Sequence, residues 1–175
     1  MACDIQRGRV EPCKDKVGGI NKVYFVNNGD LGDVAKTGDV IDTVSGTPSA
    51  YEFEVRGASS YTETPTSSRE NGTTYFEQVL ELQLPQLSKE DHQTVKMLSY
   101  GHPHVIIEDN NGNFLLAGLD YGMDVTGGSI ATGSGMGEFN GYTLTFTGME
   151  KVPANFLGDT LSAVGFTVVP GAPIV

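Results

Sequence analysis

The chain has 175 residues and a formal charge of −11, from 11 Lys and Arg against 22 Asp and Glu. That length fits one domain and can bury a core without disulfides or metals. The charge argues against a protein that wraps nucleic acid, which needs clustered Lys and Arg, and no apolar run approaches the 18 or so residues of a membrane helix.

Residues 1–18 read as an arm of mixed charges that contains Pro12 and ends at Gly18-Gly19. The arm lacks an apolar segment of the secretory kind, so its Cys3 and Cys13 are expected to be reduced thiols rather than a disulfide. Ile20 to Val26 reads as a strand broken by Asn27-Asn28-Gly29-Asp30. Residues 27–49 read mostly as loop, with a short strand near Asp39–Val44. Tyr51 to Arg56 alternates apolar and charged residues, which is a half-buried strand.

Thr74 to Leu84 is a second long strand. Phe76, Gln78, Leu80, Leu82 and Leu84 share one face; Tyr75, Glu77, Val79, Glu81 and Gln83 share the other. Between these two strands, Gly57 to Thr73 holds no aliphatic residue larger than Ala58 and reads as a long polar hairpin loop. One helix is signalled at about residues 88–99: Ser88 suits the N-cap, Glu90 and Asp91 suit the positive end of the dipole, and Gly101-His102-Pro103 stops it. Asp109-Asn110-Asn111-Gly112 is turn chemistry between two apolar strands. Tyr142 to Thr147 and Val164 to Val169 close the chain as strands. One helix among seven or eight strands makes the fold mainly β, a sandwich or barrel.

Few of these residues carry chemistry. Gly127 to Gly137 is rich in glycine, but no helix and no Lys follow it, so it reads as a mobile loop between strands rather than a phosphate cradle. Gly133-Ser134-Gly135 precedes a strand, which does not suit a nucleophile elbow. His102-Pro103-His104 followed by Glu108 is the sharpest candidate. On an extended strand all three would point to one side, and two imidazoles with a carboxylate suit iron, manganese or zinc. The pattern is similar to the first metal motif of cupins, although the later histidine of that family is missing. It carries the alternative reading, a metal-dependent cupin-like β-barrel enzyme using His102, His104 and Glu108. The leading expectation has no metal, no cofactor and no catalytic residue. The 54 residues from Met97 to Glu150 contain no Lys or Arg but six Asp and Glu. Such an acidic surface repels polyanions.

Two stretches carry a resemblance. One is Cys13-Lys14-Asp15-Lys16-Val17-Gly18-Gly19-Ile20-Asn21-Lys22-Val23-Tyr24-Phe25-Val26-Asn27. The other runs from Gly133 to Glu150 and includes Gly137-Glu138-Phe139-Asn140-Gly141-Tyr142-Thr143-Leu144-Thr145-Phe146-Thr147-Gly148. With a long hairpin, a capped helix and the Ile107–Phe114 hairpin between them, the chain resembles tail tube proteins of bacteriophages, particularly phages of Bacteroides-like hosts. The resemblance covers most of residues 13–156. It implies a tail-tube-like β-sandwich or barrel with one flanking helix and extended terminal arms. Residues 1–18 would be the N-terminal arm, 19–155 the domain, and 156–175 a C-terminal extension past the family pattern.

The implied function is that of a structural virion protein, not an enzyme: a subunit of a tail tube or tail ring that forms a channel for genome passage. Its partners would be copies of itself, joined edge to edge into a hexamer or a larger ring, and neighbouring tail or connector proteins. DNA would be passing cargo, no membrane would be involved, and the protein would be made in the host cytoplasm and end in the virion tail. Tyr61, Thr62 and Arg69 of the long loop would contact the next ring. Glu77 and Glu81 would be lumen candidates.

Overall fold

The computed structural model describes residues 3–55 and 57–174. Met1, Ala2, Arg56 and Val175, which the sequence reading places in the two arms and at the end of a strand, lie outside the described residues. In chain order the elements are β1 (Ile20–Val26), β2 (Val34–Thr37), β3 (Val40–Val44), β4 (Ser49–Glu54), β5 (Ser60–Ser68), β6 (Thr73–Pro85), α1 (Lys89–Tyr100), β7 (His104–Asp109), β8 (Phe114–Ala117), β9 (Asp124–Ala131), β10 (Gly141–Glu150), β11 (Asn155–Leu157), α2 (Leu161–Val164) and β12 (Thr167–Val169). The fold is mainly β, as the composition requires. The flanking helix is α1, with Ser88 Oγ accepting the Asp91 N–H at 3.0 Å.

The strands form two sheets. The larger has eight strands in the order β12-β4-β1-β7-β8-β11-β3-β2; the smaller has four, β5-β6-β10-β9. Val23 and Phe25 of β1 and Val105 and Ile107 of β7 face Leu80, Leu82, Leu144 and Phe146 of the smaller sheet across the main core, which α1 closes with Val95. The alternate residues, Tyr24, Val26 and Ile106, face a second core on the far side of the larger sheet. β1 and β7 are therefore buried on both faces, which is why they read as unbroken apolar runs rather than alternating ones.

The second core corrects the reading of the C-terminal extension. Residues 156–169 do not trail off as an arm. Leu157, Leu161, Val164 and Phe166 are buried in that core, β11 pairs with β8 and β3, and β12 adds to β4. The N-terminal segment differs: residues 3–18 are exposed and carry no strand, with both cysteines at the surface. Its end is held by the β7–β8 turn. Asn111 takes both backbone groups of Val17, at 3.1 and 2.8 Å, and Asn110 Nδ2 donates to Gly18 O at 2.8 Å.

Three further expectations change. Residues 34–44 form a hairpin of two strands, not one short strand. The strand at 51–54 does not pair with that at 73–85; they lie in different sheets. The long polar loop is itself a strand: Ser60–Ser68 pairs residue by residue with Thr73–Glu81, and only residues 69–72 turn. Its threonines favour the extended backbone, and the absence of aliphatics follows from its place at a solvated edge.

Candidate functional site: an open four-stranded sheet

The smaller sheet has one covered face and one bare face. Leu80, Leu82, Leu84, Tyr142, Leu144 and Phe146 point into the main core. The cross-strand register fixes what points out. Across β5, β6 and β10 the outward rows are Ser60–Glu81–Thr145, Thr62–Val79–Thr147 and Thr64–Glu77–Met149. Thr126 Oγ1 lies 2.8 Å from Thr147 Oγ1 and carries the hydroxyl row onto β9. Glu81 is exposed and Glu77 half-buried. Residues 57–88 and 97–150, which contain all four strands, hold a single cation, Arg69, in the turn. The bare face is thus mainly hydroxyls and carboxylates, with Val79 and Met149 among them.

Among the described residues, both edges of this sheet are unpaired. β9 pairs only with β10, and β5 only with β6. β9 is exposed over six of its eight residues, including Ile130 at 52%. It approaches β10 so closely that a Cβ on Gly128, at φ +143°, would lie 2.2 Å from the Thr143 carbonyl oxygen. The glycine-rich stretch therefore begins as a strand, and its loop is confined to residues 132–140. Pro65 sits in β5, as an edge strand permits. Glu63 of β5 accepts the Ala154 N–H at 3.1 Å, and beside that contact Val152 and Phe156 are 38% and 47% exposed. An unpaired edge flanked by exposed apolar side chains is a liability in a monomer and a template for pairing with another chain.

The residues expected at a ring-to-ring contact fall in three places. Arg69 is at the exposed hairpin tip. Thr62 is mid-strand on the bare face. Tyr61 points the other way, packs against the main core and donates to Glu63 Oε2 at 3.3 Å; burial, and then Glu63, push its hydroxyl well above the ordinary phenol range. Tyr61 is therefore half-buried against the main core, on the opposite face of the strand from Thr62.

The metal alternative is not supported by the geometry. Pro103 separates the two histidines, His102 lying before β7 and His104 opening it. His102 is exposed and pairs with Asp124. His104 is buried, with Nδ1 2.6 Å from Gly118 O. Glu108 accepts from Tyr24 Oη at 2.9 Å and Asn21 Nδ2 at 3.0 Å. His104 and Glu108 share a face but stand four residues apart, roughly 13 Å along a strand, too far to bind one ion.

Sequence reasoning missed the buried polar cluster that fixes the 118–122 loop at one end of the smaller sheet. Gln78 Oε1 accepts the Gly118 N–H at 2.8 Å, His104 holds the Gly118 carbonyl, and Glu150 accepts from Asp120 and Tyr121 N–H. Burial lowers the His104 imidazole and raises the Glu150 carboxyl. Gln78, set among the apolar residues on the inner face of β6, was the available signal. Compared with protein-family models, with curated proteins and with solved structures, the chain matches none.

Proposed function

We propose that this chain is a structural virion protein, a subunit of a phage tail tube or tail ring whose small sheets join edge to edge around a channel for the genome. The observation that carries the reading is the four-stranded sheet with both edges unpaired among the described residues and a bare face mainly of hydroxyls and carboxylates. β9 of one copy meets β5 of the next, and Val152 and Phe156 beside β5 gain cover. The contact joins two different edges, so it is heterologous, the type that forms a ring when its rotation closes.

Six sheets of four strands make 24. At about 4.8 Å per strand the wall is at least ~115 Å around, or ~37 Å across, and strand tilt widens it further. Side chains reduce that bore but leave room for a duplex. Glu77 and Glu81 then line the hole and repel phosphates, so the genome slides without sticking. No step of this role needs a cofactor or a reaction.

The test is native mass by light scattering across a concentration series, for the full chain and for Ile130→Lys. The wild type is expected to form one closed oligomer. A Lys on the β9 edge is expected to leave a folded monomer with an unchanged melting transition. A wild type that stays monomeric at every concentration, or an oligomer indifferent to Ile130→Lys, contradicts the reading.

A further inference from the structure

Four asparagines of the chain are followed by glycine: Asn28, Asn71, Asn111 and Asn140. That dipeptide carries a reaction of its own. The amide nitrogen of the glycine can attack the Asn side-chain carbon, because no glycine Cβ shields it. The attack needs the carboxamide to turn until carbon and nitrogen stand about 3–3.5 Å apart. A carboxamide pinned by hydrogen bonds cannot turn, so the fold decides which of the four react.

Two of the four are pinned. Asn111 Oδ1 accepts the Val17 N–H at 3.1 Å, its Nδ2 donates to Val17 O at 2.8 Å, and the Gly112 N–H is spent on Asp109 O at 3.2 Å. Asn140 Oδ1 accepts the Leu87 N–H at 3.2 Å, and its Nδ2 donates to Thr132 O at 3.4 Å. Gly141 is buried at the start of β10, between Ala131 and Pro85. The other two are open. Asn28, in the turn after β1, and Asn71, at the tip of the β5–β6 hairpin, are exposed, and among the described residues neither carboxamide makes a hydrogen bond. The N–H groups of Gly29 and Gly72 make none there either, and both glycines face open space. Gly112 is equally open, so hydrogen bonds rather than crowding set Asn111 apart.

We propose that Asn28 and Asn71 are sites of self-modification, converting to aspartate and isoaspartate in the folded protein while Asn111 and Asn140 stay intact. The glycine nitrogen forms a bond to the Asn Cγ and gives up its hydrogen; the carboxamide nitrogen leaves with that hydrogen as ammonia. Water then opens the five-membered succinimide at either of its two C–N bonds. No electrons are transferred, and water is the only co-reactant. Opening one way restores the backbone as aspartate; opening the other way adds a methylene to it as isoaspartate. Each event adds one negative charge to a chain already at −11. At Asn71 that charge arises beside Glu70, in the turn of residues 69–72. None of this depends on assembly.

The test is peptide mapping by mass spectrometry of the full chain aged at mildly alkaline pH, folded and in denaturant, with each site's folded rate divided by its own rate in denaturant. In the folded chain the peptides of Asn28 and Asn71 are expected to gain one mass unit and to carry isoaspartate, at rates close to those in denaturant. Asn111 and Asn140 are expected to be slowed by at least roughly tenfold, since two hydrogen bonds must break before either carboxamide turns. Asn71→Gln, which would have to close a six-membered ring, is expected to remove that site's share and leave conversion at Asn28 unchanged. Asn111 or Asn140 converting as fast as Asn28 and Asn71, or either open site slowed as much as the pinned pair, would overturn the assignment.

Discussion

Gln78, His104 and Glu150 spend their polar atoms on one loop, residues 118–122, and each is almost wholly buried. A carbonyl can only accept, so His104 Nδ1 must carry the hydrogen it shares with Gly118 O. Burial holds the ring below its ordinary value of 6.5, against a smaller opposing pull from Gly118, Asp30 and Asp120. The unfolded chain therefore takes up a proton before the folded one does as pH falls. Stability present above about pH 6.5 is lost as the pH drops through that value toward the folded pKa. The melting temperature is expected to fall between pH 7.5 and 5.5. His104→Asn, whose amide nitrogen stands near the Nδ1 position, is expected to lose roughly 1–3 kcal/mol at pH 7.5 and to show a flatter pH profile. Denaturant melts at the two pH values check this; an equally steep profile in the variant would assign the pH dependence elsewhere. The histidines also show what spacing cannot reveal. His102, His104 and Glu108 read as one constellation because a strand puts alternate residues on one side. The same geometry separates His104 from Glu108 by four residues of rise, and His102, before β7, pairs with Asp124.

Among the elements, β6 and β10 were legible and β5 was not. Tyr142 to Thr147 alternates because one face of β10 is core and the other is bare, and the same holds for Phe76 to Leu84. β5 has no aliphatic residue to alternate. Its inner face is Tyr61 and Glu63, and its outer face is serine and threonine, so hydropathy alone renders it as loop. β9 hides for a different reason: four of its eight residues are Gly, Ser or Ala, and at Gly128 the close approach of β10 excludes a side chain. Gly128→Val puts this to the test at the scale of the element. A side chain there collides with the Thr143 carbonyl, and φ +143° disfavours any Cβ. The variant is expected to lose protection of the β9–β10 amides in hydrogen exchange while the larger sheet keeps its own. Unchanged protection of β9 would mean that its pairing does not depend on that glycine. β11 was hidden in the sequence because three residues are too few for a period, and of the strand read over Val164 to Val169 only Thr167–Val169 forms, since Val164 ends α2. Only the second core, built by Leu157, Leu161, Val164 and Phe166, explains why they form.

For the whole molecule, charge and topology point the same way. The central strands of the larger sheet, β1 and β7, are covered on both faces, whereas the smaller sheet is covered on one, and its bare face carries Glu77 and Glu81 with no Lys or Arg beside them. In a ring lined by that face the carboxylates keep the channel from binding what it passes. Glu77→Lys combined with Glu81→Lys is expected to leave the ring intact and make it retain nucleic acid, with affinity falling steeply between 50 and 200 mM salt, as release of counterions demands, by roughly 10³–10⁵ if 6–10 phosphates are contacted. Retention by the wild type equal to that of the variant would remove these residues from the lumen. The family resemblance supplied sixfold closure and genome passage. The open edges and the direction of the bare face are properties of the fold, since residue type alone does not say which strand ends a sheet. The most direct test is cryo-electron microscopy of the largest species formed by the full chain. The account predicts a closed ring with a continuous β wall, β9 of each copy laddered to β5 of the next, and Glu77 and Glu81 facing the hole. A ring that turns this sheet outward, or copies joined through any other pair of edges, would contradict it.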